Sequence, residues 1–126
     1  MGIAHFEKVS FAQFSTDWQK YFPCLSLEDL RSAYDALQLP MRATGGSAGY
    51  DFKAPIRMTI PHQSGVMIPS GICVRMDRHY VLMLFPRSGL GARYRLQLNN
   101  TVGIIDSDYY EADNEGHILC PLYNDS

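Results

Sequence analysis

From Met41 onward the sequence predicts an all-β fold, a sandwich, jelly roll or barrel, and three observations predict it. Short apolar runs recur with glycine or proline between them, several of those runs alternate apolar with polar residues, and no second helical periodicity follows Pro40. Residues 1–40 read differently, as an added N-terminal segment carrying one amphipathic helix. The expected organisation is therefore an extension at 1–40 and a β domain at 41–126.

In chain order, the first signal is an aromatic cluster, Phe11, Phe14, Trp18, Tyr21 and Phe22, which suits a helical turn or two before Pro23. Aromatics at this spacing are packing residues more often than a ligand box. Leu27, Leu30, Ala33, Tyr34 and Leu37 then keep helical spacing, with Ser26 as N-cap, Asp29 three residues on and Pro40 beyond the end. This predicts a helix over about 24–39. Ile56, Met58 and Ile60 alternate as a strand does; Val66 and Ile68 lead into a Pro69-Ser70-Gly71 turn, and Ile72, Val74 and Met76 alternate after it. The run Tyr80 to Phe85 suits a buried strand, and shorter strands are expected at Leu96 to Leu98, Val102 to Ile105 and His117 to Leu122.

Composition narrows the class. At 126 residues, with 46% hydrophobic and 19% charged side chains, the chain is an ordinary globular protein of one domain. Folding at this size buries roughly two-thirds of the surface of the unfolded chain, so one core forms without staples. Cys24, Cys73 and Cys120 are odd in number and lack CxxC spacing, against a disulfide scaffold or zinc site and for a reducing compartment. No apolar run approaches the ~20 residues of a membrane span, and no basic stretch precedes an apolar one at the N-terminus. A cytoplasmic location without membrane contact is expected. With three lysines and an isoelectric point near 6.0, no basic footprint for direct nucleic-acid binding is present.

Charge is unevenly placed. Residues 1–40 carry three basic and five acidic side chains, residues 41–95 eight and two, and residues 96–126 none and six. Folding that pairs the halves on the surface is one reading; a site joining anion-binding cations to carboxylates that handle metal or water is the other.

Three stretches are richer in glycine and polar residues than turns require: Ala43 to Asp51, Pro86 to Gly91, and Asn99 to Tyr110. In the second, Arg87 offers a forked cation, Ser88 a hydroxyl, and the glycines let backbone N–H groups approach an anion. The sequence contains no GxxxxGK[ST] loop, HExxH pair or GxSxG elbow. His5, His62, His79 and His117 stand isolated and read as surface or structural residues. The acidic run from Asp106 places Glu111 where a calcium loop needs glycine.

Those three stretches, in that order, closely resemble motifs one, two and three of the trimeric deoxyuridine triphosphatase (dUTPase) family. Pro86-Arg87-Ser88-Gly89-Leu90-Gly91 and Val102-Gly103-Ile104-Ile105-Asp106-Ser107-Asp108-Tyr109 match almost letter for letter, and Ser47-Ala48-Gly49-Tyr50-Asp51 is a close form of the first. The resemblance runs from about Arg42 to Asn124. It implies a distorted jelly-roll β-barrel with an added N-terminal helical segment, a homotrimer, and hydrolysis of dUTP to dUMP and pyrophosphate with Mg²⁺. Residue by residue, Asp106 resembles the carboxylate that activates the attacking water, and Asp51 the carboxylate that meets Mg²⁺ through water. Arg87, Ser88 and Gly89 resemble the phosphate-binding set. Asn100, Gly103, Ile104 and Ile105 resemble the hairpin that reads uracil, and Tyr109 the ring against deoxyribose. Asp108 reads as structural, pairing an arginine.

The sequence departs from the family pattern in three places. The loop after Tyr109 is long, which puts the family's glycine at Gly116 and Leu119 in a strand beside the substrate. Residues 1–40 exceed the expected first strand. The fourth motif and the glycine-rich fifth have no counterpart before Ser126, so the expectation is a β domain lacking its C-terminal part. Two other readings stay open: a non-catalytic dUTPase-fold nucleotide-binding or regulatory module, and the related dCTP deaminase.

Overall fold

A computed structural model of the chain describes residues 2–126. Strand β1 (Ala4–Lys8) pairs antiparallel with β3 (Ile72–Met76), in register from Ala4 opposite Met76 to Lys8 opposite Ile72. Ser10 then takes an extended conformation, and its Oγ accepts from the Gln13 N–H at 3.1 Å to start helix α1 (Phe11–Tyr21). The aromatic cluster thus forms three full turns instead of one or two. Phe14 and Trp18, four residues apart and so on one face, are completely buried.

Ser26 caps helix α2 (Leu27–Ala36) by accepting from the Asp29 N–H at 3.0 Å. This helix is shorter than the expected 24–39. Cys24 and Leu25 precede the cap, and Leu37 turns extended (ψ 132°) to lie against Gly71 in the turn before β3. Leu39, preceding Pro40, is biased out of the helical region as well. Two helices therefore stand where one was expected. Val9, Phe14, Trp18 and Leu30 form one core cluster with Ile68 and Cys73, so the packing runs across the boundary expected at residue 40.

Ile56, Met58 and Ile60 alternate but form no strand among the described residues. Pro55 and Pro61 bracket the segment, Ile56 and Met58 pack on the core cluster, and the Ile60 carbonyl accepts from Asn124 Nδ2 at 2.8 Å. Strand β2 (Ser64–Pro69) follows, then the turn at Ser70 and Gly71. Gly71 has φ +80°, and a Cβ there would stand 2.4 Å from Leu37 Cδ2 and 3.1 Å from the Phe14 ring, so only glycine lets this turn close on both helices.

Strand β4 (Val81–Leu84) pairs with β6 (Gly103–Asp106) as a two-stranded ribbon. Between them lie helix α3 (Ser88–Tyr94) and strand β5 (Leu96–Leu98). Helix α3 was not expected, because glycines at 89 and 91 each lower helix propensity by about 1 kcal/mol relative to alanine. A 3-10 turn (Ser107–Glu111) leads from β6 toward β7 (Leu119–Asn124), which completes a three-stranded antiparallel sheet in the order β2, β7, β5. The Tyr80–Phe85 run, expected to be buried, is not: Val81 and Met83 are about half exposed and Phe85 more so.

Candidate functional site

Asp51 is set by an isolated bridge, its N–H donating to the Met41 carbonyl at 2.9 Å, which closes the glycine-rich loop between them. Arg87 stands at the start of α3 and its Nη1 donates to Asp51 Oδ2 at 3.2 Å. The Arg87 side chain is 70% exposed, so this pair contributes only about 0–1 kcal/mol to stability and is free to reorganise around an anion. Intrahelical bonding in α3 begins with the Leu90 and Gly91 N–H groups, both donating to the Arg87 carbonyl. The N–H groups of Ser88 and Gly89 precede those bonds, and a Cβ on Gly89 would meet nothing within 4 Å. A guanidinium, a hydroxyl and two N–H groups without a partner among the described residues suit phosphate oxygens.

The second group lies on β6. Asn100 is exposed in the turn before it, and the Val102 N–H donates to the Asn100 carbonyl at 2.8 Å. Gly103 is buried behind Leu84, where a Cβ would come within 3.0 Å of that side chain. Since β4 is the only ladder partner of β6 among the described residues, the other edge of Gly103, Ile104 and Ile105 offers main-chain donors and acceptors outward. Register places Asp106 opposite Val81 and Ile104 opposite Met83, so Asp106 and Ile104 share the exposed face of the ribbon. The Asp106 carboxylate is exposed and has no protein hydrogen bond or ion pair among the described residues.

Tyr109 lies in the 3-10 turn. Its hydroxyl donates to the His117 carbonyl at 2.6 Å and accepts from Asn114 Nδ2 at 2.8 Å. His117 is fully buried, with its Nε2 accepting from the Gly71 N–H at 2.8 Å and its Nδ1 2.5 Å from Asp17 Oδ2. A ring nitrogen that accepts carries no proton, so the proton sits on Nδ1 and is donated to Asp17. Burial holds His117 below its ordinary value, with Asp17 and Glu115 acting in the opposite direction. Glu115 accepts from both the Ser10 N–H (2.7 Å) and the Ser10 hydroxyl (2.6 Å). Asp108 is exposed and pairs with no arginine among the described residues, unlike its expectation. Leu119 begins β7 opposite Pro69, which puts it in the three-stranded sheet two residues past His117.

The fold thus joins Asp51 to Arg87, and Asp106 to Tyr109 through one short segment. No hydrogen bond or ion pair among the described residues connects the two groups. A concavity of about 580 Å³ beside α3 and β5, lined by Met58, Tyr94, Arg95 and Asn124 among others, contains none of these residues. The described residues hold no cluster of three or more His, Cys, Asp or Glu able to cage a metal ion. Asp51 Oδ2 is engaged by Arg87 and its Oδ1 is left without a protein partner among them. A single available carboxylate fits Mg²⁺, which keeps several waters and takes further ligands from substrate phosphates. Sequence reasoning missed Asn114 and His117, which reach Tyr109 within the loop that follows it, and Asp17, which only the tertiary fold brings to His117.

The dUTPase family model matches residues 35–124. A deoxyuridine 5'-triphosphate nucleotidohydrolase of Buchnera aphidicola subsp. Schizaphis graminum is 38% identical over 91 residues, covering 70% of this chain and 54% of that protein. The enzyme of the same name from Methylobacillus flagellatus is 42% identical over 89 residues, covering 68% and 56%. The chain thus spans about half the length of the curated relatives it matches. Among solved structures, the dUTPase from Streptococcus mutans superposes with a TM-score of 0.69 at 34% identity over 96% of this chain and 79% of that one. A dUTPase from phage phi11 of S. aureus, described with a structural Mg(II) ion, shares the fold at 19% identity, with a TM-score of 0.67 over 99% and 61% of the two chains. With those neighbours the fold is an all-β jelly roll with small helices, and with the family match spanning most of its length the chain belongs to the dUTPase family.

Proposed function

We propose that the protein hydrolyses dUTP to dUMP and pyrophosphate, and the observation that carries this reading is the unpaired Asp106 at the end of a strand whose open edge faces outward. Asp106 takes a proton from water, the water oxygen attacks the α-phosphorus, and the bond from that phosphorus to the bridging oxygen breaks to release pyrophosphate. General-base help of this kind contributes ~10²- to 10⁴-fold. Arg87, Ser88 and Gly89 bind phosphate oxygens. Asn100 and the main chain of Gly103, Ile104 and Ile105 hydrogen-bond a 4-oxo, N3–H base and leave groups unpaired against cytosine. The Tyr109 ring packs on the deoxyribose, leaving no room for a 2′-hydroxyl, and Leu119 lies near this pocket. Asp51 would hold Mg²⁺ through water, and the ion when bound neutralises charge on the triphosphate.

The exposed apolar strip Val81, Met83, Phe85 and Ile104 supports a homotrimer in which it is covered. Three free thiols suit the reducing cytoplasm.

Substituting Asp106→Asn in the full chain tests the reading. Pyrophosphate release from dUTP should fall by at least 10²-fold while dUMP binding persists. A wild-type rate in that variant would overturn the role of Asp106, and ammonia release from dCTP would replace the activity itself.

A further inference from the structure

Resting on the reading of Tyr109 as the sugar wall, we propose that Asp17 and His117 form a positioning pair that fixes the Tyr109 ring and thereby sets deoxyribose-over-ribose discrimination from helix α1.

The Tyr109 hydroxyl is held by two groups, the His117 carbonyl and Asn114 Nδ2. Asn114 is in the loop, so the fixed point is His117. Its ring is clamped on both nitrogens by elements distant in sequence, Asp17 on α1 and the Gly71 N–H in the β2–β3 turn. A buried histidine that only filled space would be replaceable by an apolar residue at little loss, whereas this one is satisfied at every polar atom. A second contact repeats the arrangement: Glu115 holds both the N–H and hydroxyl of Ser10, the cap of α1. Between them Gly116, at φ +69°, lies so close to the chain at Tyr109 and Tyr110 that a Cβ would stand 2.7 Å from the Tyr109 carbonyl oxygen. Helix α1 therefore grips segment 115–117 at two points, and that segment carries Tyr109 through both side chain and backbone. Misplacing a positioned group by about 1 Å costs on the order of 10²-fold in reactions, which sets the scale available to such a device.

The test uses equilibrium binding of dUMP, UMP and dCMP to the full chain. The ratio of UMP to dUMP dissociation constants reads the sugar, and the ratio for dCMP to dUMP reads the base. Tyr109→Phe, which keeps the ring and removes its anchor, and Asp17→Leu should each lower the sugar ratio about 10-fold and leave the base ratio within about 2-fold. Asp17→Asn, whose side-chain oxygen still accepts from Nδ1–H, should restore the sugar ratio. Asp17→Glu, one methylene longer, serves where Asp17→Leu does not fold and should also lower it. Equal loss of both ratios would mark general loosening and overturn the proposal. If the Tyr109 variants lower the sugar ratio and natively folded Asp17 variants do not, the reading of Tyr109 stands and the positioning role falls. If Tyr109→Ala leaves the sugar ratio unchanged, the reading of Tyr109 fails and the inference fails with it.

Discussion

Replacing Gly116 with alanine should destabilise the fold more than any other single added methyl in the loop after the 3-10 turn. The glycine has φ +69°, and its Cβ would stand 2.7 Å from both Tyr109 O and Tyr110 Cα, with Tyr109 C at 3.2 Å. These are backbone atoms that no rotamer change removes, and heavy atoms are at their optimum only at about 3.5–4.0 Å. The left-handed conformation costs alanine ~1–2 kcal/mol and overpacking adds ~1–3 kcal/mol, for a central expectation of about 3 kcal/mol. At roughly 4 °C per kcal/mol for a chain of this length, the midpoint of thermal unfolding should fall by about 12 °C. Gly46→Ala is the control, since a Cβ there meets nothing within 4 Å and φ is not positive. It should move the midpoint by no more than about 2 °C, or raise it slightly by restricting the unfolded chain. Circular dichroism melts of both variants suffice. A drop below about 2 °C for Gly116→Ala would refute the claim that segment 115–117 is seated against Tyr109.

Two further outcomes follow from buried titratable groups. Burial depresses His117 below its ordinary 6.5, so as pH falls the unfolded chain takes the proton first. Its stabilising contribution is complete above about 6.5 and is lost as pH falls toward the depressed value, and a melting midpoint flat between pH 7.5 and 5.5 would contradict this. Burial raises Cys73, with help from Glu7 and Glu115, and Cys120 to about 11, whereas Cys24 is exposed. At pH 8 a thiol reagent should modify one cysteine per native chain rapidly and three after denaturation, and rapid native reaction of more than one would count against the packing around β3 and β7.

What could be read from the sequence was local. Ser26 lies one residue before a helix and three before Asp29, so its cap is visible in a string of letters. The motif segments are equally local, since Arg87-Ser88-Gly89 and Gly103 to Asp106 each act as contiguous backbone. Helix α3 was hidden because its glycines speak against a helix and none of its residues is buried, so it carries no apolar stripe to read. Ile56 to Ile60 have a strand's alternation but no ladder partner among the described residues, and alternation alone cannot supply one. The bond between Asp17 and His117 spans 100 positions, and each residue alone is an unremarkable polar letter. No spacing rule reaches across that separation; only the packing of α1 on the β2–β3 turn brings them together.

The β4–β6 ribbon joins these points. Its apolar letters predicted burial, and only one face approaches it, with Gly103 buried and Leu82, Leu84 and Ile105 half-buried. The other face leaves Val81 49%, Met83 46%, Phe85 64% and Ile104 54% exposed. A two-stranded ribbon gains little stability by itself, and a contiguous exposed apolar strip marks an interaction surface. Asp106 stands on that same face, opposite Val81. In the homotrimer proposed above, covering the strip would also cover the face of the ribbon that carries Asp106. Assembly and the proposed chemistry would then share one surface: a charged residue at Met83, which is opposite Ile104 and not Asp106, should weaken self-association, read by sedimentation, and dUTP turnover together. A variant that still associates but loses turnover would refute that coupling.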